Sequence, residues 1–213
     1  GDAPSFDLLP MTGSADEALG SASFYPRLQR FLRGGDVLVV ETGTCMLHLA
    51  AMRLPDDVGC ESQTLWGSIG WATPATLGVV MANTKGRTVV VTGDGSHQLT
   101  LNDLGVMGRY GVKPVIFVIN NGIYGVEDVL SERGHEYDDI APLNYHLLPE
   151  AMGCTGWLSR RVSTVGELEN VLAEATGGDQ AVYVELMIPE SESQPLPAEI
   201  IDQVYKFRTP SAQ

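Results

Sequence analysis

The sequence predicts an α/β fold: an open, mostly parallel sheet with helices on both faces. Four strand-length apolar runs are rich in β-branched residues and do not alternate with polar ones, which is typical of strands buried on both faces of a parallel sheet. Helical patterns separate these runs, and such alternation is typical of α/β domains. A chain of 213 residues, 44% of them hydrophobic, is long enough for one such domain with a sizeable core.

The apolar runs predict strands at residues 36–40, 87–92, 114–119 and 181–186. Helices are predicted at residues 23–33, 45–53, 71–83, 100–110 and 164–176. The last of these opens on Thr164-Val-Gly-Glu167, the pattern of a capping box. A further helix is expected at 197–206, entered through Pro197.

Three segments follow from composition. Residues 1–22 are rich in Gly, Ser, Pro and Asp, and they are interpreted as a linker leading into the domain. Residues 23–190 hold the strand–helix alternation and form the domain itself. Residues 191–213 are expected to form a C-terminal helix and tail.

The net charge of −14 disfavours a nucleic-acid-binding surface, which needs clustered Lys and Arg. The same charge repels anionic ligands at long range. Any phosphate site must therefore depend on local groups such as a divalent cation, backbone N–H groups or a helix N-terminus.

Cysteine usage and hydropathy point to a cytoplasmic chain. The three cysteines, Cys45, Cys60 and Cys154, lack metal-ligand spacing, and we expect them to be reduced and buried. No apolar run approaches the roughly 18 to 20 residues of a membrane span, and no secretory signal is evident.

The strongest chemical pattern is Gly93-Asp-Gly-Ser96 at the end of one predicted strand, with Asn120-Asn121 at the end of the next. Asn121 follows Asp94 by 27 positions. Carboxyl ends of neighbouring parallel strands share one edge of a sheet, where α/β proteins bind ligands. A carboxylate and an amide oxygen meeting there suit Mg²⁺ or Ca²⁺. Each pattern alone is an ordinary turn signal.

Together, these two motifs resemble the signature of thiamine diphosphate (ThDP) enzymes. Further segments resemble the pyruvate, indolepyruvate and phenylpyruvate decarboxylases: residues 41–44 (Glu-Thr-Gly-Thr), 63–71, 93–100, 120–127 and 137–140. The resemblance covers roughly residues 23–190, one diphosphate-binding domain of that family. It implies ThDP and Mg²⁺ as cofactors and a 2-oxo acid as substrate, decarboxylated to an aldehyde.

The resemblance also implies residue roles. Asp94, Asn121 and the carbonyl of Ile123 would bind the metal, and Thr42, Thr44 and Ser96 would hydrogen-bond the diphosphate. The remaining cofactor contacts are expected from Gly67, Ser68, Ile69, Gly93, Gly95 and Tyr124. Among these, the Gly67 carbonyl would accept from the 4′-amine of the aminopyrimidine, and Ile69 would bend the cofactor.

Glu127 is implied as the acid–base group that selects decarboxylation. Apolar neighbours such as Val126 and Leu130 are expected to raise its pKa. Without the resemblance, Glu127 would be an acidic residue in a first helical turn. Val126, Leu130 and Met46 are expected to line the substrate pocket. Val126 is smaller than the Ile of strict pyruvate decarboxylases and Met46 is an adaptable side chain, which favours aryl or branched acids over pyruvate.

Half of the expected active site is missing from the sequence. In this family, a separate pyrimidine-binding domain supplies a Glu for the aminopyrimidine and a His-His pair, whereas no two of the four histidines here are adjacent. We therefore expect that domain from another chain or a missing N-terminal part, in a dimer or tetramer of halves. The alternatives are a ThDP-dependent carboligase, as in acetolactate synthases, and a non-catalytic cofactor-binding subunit.

Overall fold

The fold is built on one six-stranded sheet in which every pairing is parallel. The structure, a computed structural model, describes residues 8–130, 135–177 and 179–189, and of residues 128–130 only the backbone. The strands run in the order β2-β1-β3-β4-β6-β5. Their bounds are β1 Val37–Val40, β2 Gly59–Ser62, β3 Thr88–Gly93, β4 Val115–Asn120, β5 Leu158–Val162 and β6 Val182–Met187. The predicted α/β class with a parallel sheet is confirmed.

Eight α-helices connect the strands within the described ranges: α1 Ser21–Phe31, α2 Thr44–Ala50, α3 Ala72–Ala82, α4 Asp94–Gln98, α5 Asp103–Tyr110, α6 Gly125–Leu130, α7 Leu148–Ala151 and α8 Val165–Ala175. Short 3-10 turns lie at Glu136–Asp138 and Tyr145–Leu147. The predicted capping box of α8 is confirmed, since Thr164 and Glu167 bond each other's backbone N–H at 3.3 and 3.1 Å. No helix in these ranges is long and apolar enough to cross a membrane.

The core has two layers because side chains alternate across each strand. On β3, Val89 and Val91 belong to the layer under α1, α2 and α8, whereas Val90 belongs to the layer under α3 and α5. In the first layer, Phe24 of α1 packs edge-on against Phe117 of β4 at 5.7 Å between ring centroids. Helices thus cover both faces of the sheet.

The sequence did not predict β2 and β5. Both are edge strands, and β2 is exposed along most of its length while β5 carries Ser-Arg-Arg at its centre. The predicted helix at 197–206 lies outside the described residues.

The described part of the expected linker packs onto the domain. The N–H of Leu9 donates to Gln29 of α1 at 2.8 Å, and the carbonyl of Thr12 accepts from Arg27 at 2.7 Å. Leu19 is fully buried.

All three cysteines are free thiols. Cys45 and Cys154 are buried as expected, but the expectation was wrong for Cys60, which is exposed because it lies on edge strand β2.

The strand order places a switch point at β1. From β1 the sheet continues to β2 on one side and to β3 and β4 on the other. In open α/β sheets, the carboxyl ends of strands at such a point border a ligand-binding crevice.

Candidate cofactor site

The loops that follow β1, β3 and β4 border a cleft at the carboxyl ends of these strands. Ile69, from the loop before α3, also lines this cleft. The cleft is lined by Thr42, Gly43, Thr44, Cys45, Ile69, Gly93, Asp94, Gly95, Ser96, Ile119, Asn121, Ile123, Tyr124, Gly125 and Val126. Eleven of these are residues that the sequence analysis assigned to the site. Gly67, Ser68, Met46 and Glu127, also assigned there, are not among the lining residues.

Asp94 joins the ends of β3 and β4. Its carboxylate is buried, and its Oδ1 accepts the N–H of Gly95 at 2.9 Å. Its Oδ2 accepts the N–H of Gly122 at 2.8 Å. The second bond reaches the residue after Asn121, so the structure brings together the two motifs that are 27 positions apart in the sequence.

The Asp94 carboxylate is held in an environment that disfavours its charge. Burial raises its pKa to about 6, and the backbone N–H groups of Gly122 and Gly95 act against that rise. An ionised carboxylate kept out of water gains more from a bound cation than an exposed one does, because water does not screen the attraction.

The loop after β4 is fixed by a second segment of chain. The N–H of Tyr124 donates to the Asp138 carbonyl, and the N–H of Ile140 donates to the Gly122 carbonyl, each at 2.9 Å. Ile123 and Asp139 form an isolated antiparallel bridge. The segment 137–140 therefore orients the loop that carries Asn121.

Tyr124 packs over Gly95. A Cβ atom at Gly95 would collide with the Tyr124 ring and would stand 2.6 Å from Cδ1 of Ile140. A residue with a Cβ at this position therefore requires the side chains of Tyr124 and Ile140 to shift.

Two glycines on the other side leave open space. A Cβ at Gly43 or Gly93 would meet no atom within 4 Å. Beside them, the buried Oγ1 of Thr42 has no hydrogen-bond partner in the described part of the chain. The Ser96 hydroxyl donates to the Thr42 carbonyl at 3.4 Å. A hydroxyl without a partner next to unfilled space suits a ligand with hydrogen-bond acceptors.

The loop before α3 brings Ile69 to the cleft. Gln63 shapes this loop, since its Oε1 accepts the N–H groups of Trp66 and Gly67 at 3.0 and 2.8 Å. Gly67 has a φ of +61° and a Cβ added there would lie 3.7 Å from Cγ2 of Thr42. Gly67 is thus near the first loop although it does not line the cleft.

Of the residues assigned to catalysis and to the substrate pocket, only some border the cleft. Glu127 is exposed on α6, so the described residues do not surround it with apolar groups. Val126 lines the cleft. Met46 packs against the core, and its sulfur accepts from Ser62 at 3.5 Å. The side chain of Leu130 lies outside the described residues.

Two buried carboxylates near the cleft were given no role on the basis of the sequence. Glu185 of β6 is fully buried and accepts from Asn120, His146 and Arg161 at 2.7, 2.6 and 3.0 Å. Burial acts to raise the pKa of Glu185, but the hydrogen bonds from Arg161, His146 and Asn120 outweigh it and hold the pKa below the ordinary value. The position of this carboxylate inside the apolar run 181–186 was the sequence feature that could have identified Glu185 as a buried, paired residue. Glu41, the second, follows β1 and contacts two of the loops.

His97 follows the site residue Ser96 but points into the core. Its ring nitrogens contact the hydroxyls of Thr73 and Tyr183, each at 2.8 Å, and the residue is fully buried. Burial lowers its pKa to about 4, so it is neutral at physiological pH. His97 therefore joins α3, α4 and β6.

Comparison with known proteins agrees with this geometry. The family model described as thiamine pyrophosphate enzyme, C-terminal TPP binding domain, matches residues 41–186. An alpha-keto-acid decarboxylase of Mycobacterium ulcerans is 38% identical over 90% of this chain and 34% of its own length. One of Mycobacterium tuberculosis H37Rv is 39% identical over 83% of the chain and 32% of its own length. The chain spans about a third of the length of these curated relatives.

The fold also matches a solved structure. Benzoylformate decarboxylase from Polynucleobacter necessarius aligns with a TM-score of 0.67 and 21% identity, over 79% of this chain and 33% of that one. At this identity the match supports the fold alone. The family model, which covers more than half of the chain, places it: the chain belongs to the thiamine pyrophosphate enzymes, as their C-terminal TPP-binding domain.

Proposed function

We propose that this chain is the ThDP- and Mg²⁺-binding part of a non-oxidative 2-oxo acid decarboxylase. The observation that carries the proposal is the hydrogen bond from Gly122 to Asp94, which unites the two motifs at the carboxyl ends of β3 and β4. The curated relatives named alpha-keto-acid decarboxylase support the reaction class.

The residues of the cleft fit the diphosphate end of the cofactor. The unpartnered Thr42 hydroxyl and the open space beside Gly43 and Gly93 suit phosphate oxygens that accept hydrogen bonds. Thr44 and Ser96 line the same cleft and would add two hydroxyl donors.

The carboxylate of Asp94 would bind Mg²⁺ together with the Asn121 amide oxygen and the Ile123 carbonyl. Among the described residues no three His, Cys, Asp or Glu side chains form a metal-binding group. A cation here would therefore complete its shell with neutral oxygens and diphosphate oxygens. It would also offset the repulsion between the diphosphate and a chain of net charge −14.

When bound, ThDP supplies a nucleophilic carbon and an electron sink for decarboxylation. Ile69 and Gly67 would contact its aminopyrimidine, through an apolar side chain and a carbonyl. Glu127 would hold or deliver a proton at the reacting carbon. Val126, Met46 and Leu130 would border the acid's side chain.

The complete site needs a pyrimidine-binding domain. The curated relatives are about three times longer than this chain, and the loop that carries Ile69 to the cleft has two large exposed apolar side chains: Leu65 at 84% and Trp66 at 80%. Exposed apolar patches of this kind are typical of surfaces that a partner covers. We propose that the pyrimidine domain docks here, in a dimer or tetramer of halves.

The free thiols indicate the redox state of the cellular compartment in which the chain acts. All three cysteines are unpaired, one of them exposed, which is typical of a reducing environment. We propose the cytoplasm as the site of action.

Product analysis with the intact protein tests the reaction. With ThDP, Mg²⁺ and a 2-oxo acid, the decarboxylase proposal expects CO₂ and the aldehyde in equal amounts. A condensed hydroxyketone as the main product would instead identify a carboligase. Absence of turnover with aryl, branched and short 2-oxo acids, despite tight ThDP binding, would identify a non-catalytic cofactor-binding subunit.

A further inference from the structure

Glu41 is a fully buried carboxylate at the point where β1 enters the cleft. Its own backbone is fixed, since its N–H donates to the Val91 carbonyl of β3 at 3.0 Å and its carbonyl accepts from the thiol of Cys45 at 3.1 Å. The side chain therefore starts from a rigid position at the edge of the sheet.

The two carboxylate oxygens of Glu41 bind two different segments. Oε1 accepts the N–H of Thr42, in the turn at residues 42–44 that borders one side of the cleft. Oε2 accepts the N–H of Ala72, the first residue of α3, 31 positions away. Both distances are 2.9 Å.

Helix α3 depends on this contact for its first turn. Its N-cap residue, Trp71, provides no side-chain hydrogen bond. The first N–H groups of a helix lack partners within the helix, and a carboxylate is favoured there electrostatically. Burial raises the pKa of Glu41, and the N–H groups of Ala72, Thr42, Trp71 and Gly70 act against that rise. The carboxylate thus satisfies donors that the helix itself leaves open.

The segment held by Oε2 carries the groups proposed to contact the other end of the cofactor. Ile69 lines the cleft two residues before the N-cap. Gly70, with a φ of +82°, accepts from the Thr100 hydroxyl at 2.9 Å, which anchors the loop from its far side. The loop from Gly67 to Trp71 is therefore fixed between Gln63, Thr100 and Glu41.

We propose that Glu41 is a positioning residue that fixes the spacing between the diphosphate-binding turn 42–44 and the aminopyrimidine-binding loop 67–71. This role rests on the proposed function. A cofactor with two rigid ends gains affinity when both of its subsites are held at the correct separation beforehand. A single carboxylate that binds both subsites sets that separation directly.

Two substitutions separate this role from simple packing. Glu41→Gln keeps the length of the side chain but has one acceptor oxygen, so its amide N–H₂ would face either Thr42 or Ala72 and leave that N–H unpaired. Glu41→Asp keeps both acceptors but is one methylene shorter and cannot reach both segments. It preserves the charge, so it tests the role even where Glu41→Gln fails to fold.

The experiment compares two ligands in the intact protein by calorimetric titration with Mg²⁺. ThDP spans both subsites, whereas inorganic pyrophosphate occupies only the diphosphate subsite, of which the turn 42–44 is a part. We expect both variants to lose about tenfold in ThDP affinity, the scale of one unpaired buried donor, and much less in pyrophosphate affinity. Backbone hydrogen exchange without any ligand should accelerate at Ala72 or Thr42.

Asp36→Asn is the matched control. Asp36 is also a buried carboxylate, but it pairs with Arg87 at 2.6 Å before the amino end of β1, at the opposite edge of the sheet. This variant should lower stability and leave the ratio of ThDP to pyrophosphate affinity unchanged. An unchanged ratio in both Glu41 variants would overturn the positioning role while leaving the proposed function intact. A wild-type protein that binds neither ligand would overturn both.

Discussion

Replacing Asp94 with asparagine is expected to weaken metal-dependent ThDP binding by more than about 100-fold, while the free energy of unfolding changes by less than about 2 kcal/mol. Asp94 is 2% exposed, and burial raises its pKa to about 6 from an ordinary value of 3.8. That difference corresponds to a penalty of about 3 kcal/mol on the charged form at neutral pH. The neutral amide removes this penalty.

The amide introduces an opposing cost. The new side chain would accept the N–H of either Gly95 or Gly122 and turn its own N–H₂ toward the other, which leaves a buried donor unpaired at about 1 to 3 kcal/mol. The two effects nearly cancel, so the free energy of unfolding should change by less than about 2 kcal/mol. Asp94→Ala, which leaves both N–H groups unpaired, should be less stable than Asp94→Asn.

The pH dependence follows from the direction of the pKa shift. Because the folded pKa lies above the unfolded one, the penalty on wild-type Asp94 is absent below about pH 4 and complete above about pH 6. Across that interval, rising pH should favour Asp94→Asn relative to the wild type. Denaturant titrations of both proteins at several pH values measure this difference, and a difference that does not vary with pH would contradict the burial argument.

Cofactor binding should respond far more strongly than stability. Losing an outer-shell partner of a metal site commonly costs about 10- to 100-fold in affinity, so losing a charged ligand should cost more than about 100-fold. Calorimetric titration of ThDP with Mg²⁺ into the intact protein measures it. Unchanged ThDP affinity in Asp94→Asn would refute the assignment of Asp94 to the metal.

Three further predictions concern catalysis, the partner domain and a core histidine. Glu127→Gln should retain ThDP affinity but slow aldehyde release by about a hundredfold or more, the scale of a lost acid–base group; near-normal turnover would leave Glu127 as a helix-start charge. The 213-residue chain purified alone should release no CO₂ from 2-oxo acids with saturating ThDP and Mg²⁺, and should regain activity with a pyrimidine domain; robust turnover alone would contradict the half-site interpretation. Because burial lowers the pKa of His97 to about 4, the contribution of His97 to the stability of the wild type should fall by up to about 3 kcal/mol as pH falls from about 6.5 to 4. Denaturant titrations of both proteins should show that wild-type stability falls relative to that of His97→Asn over this interval, and a difference that does not vary with pH would exclude His97 as the cause.

The central part of the sheet could be predicted from the sequence, because burial on both faces leaves a continuous apolar run. Strands β3 and β4 are both buried along nearly their whole length, and each was visible as such a run. Strand β5 has Arg160 and Arg161 at its centre, since an edge strand tolerates polar side chains. Helix α4, with five residues, is too short to show a helical period.

The candidate site, like the sheet, could be predicted from the sequence only in part. Strand topology was enough to place Asp94 beside the Asn121 loop, because parallel neighbours end at one edge. The contact from Glu41 to Ala72 could not be foreseen, since it depends on how far one side chain reaches across 31 positions of chain. The surroundings of Glu127 were expected to be apolar, yet in the described part of the chain it is exposed on α6. The sequence around a residue does not determine which surfaces other domains cover.

The packing of Tyr124 over Gly95 couples the residue types that positions 95 and 124 can accept. Any side chain at 95 must displace the Tyr124 ring and Cδ1 of Ile140, so a larger residue at position 95 is better tolerated once residue 124 is smaller. Single-site mutational scans should score Gly95→Ala as deleterious in this background and as much milder when Tyr124 is replaced by leucine or alanine. Homologous chains that carry a larger residue at position 95 should carry a smaller one at position 124, so the two positions are expected to vary together.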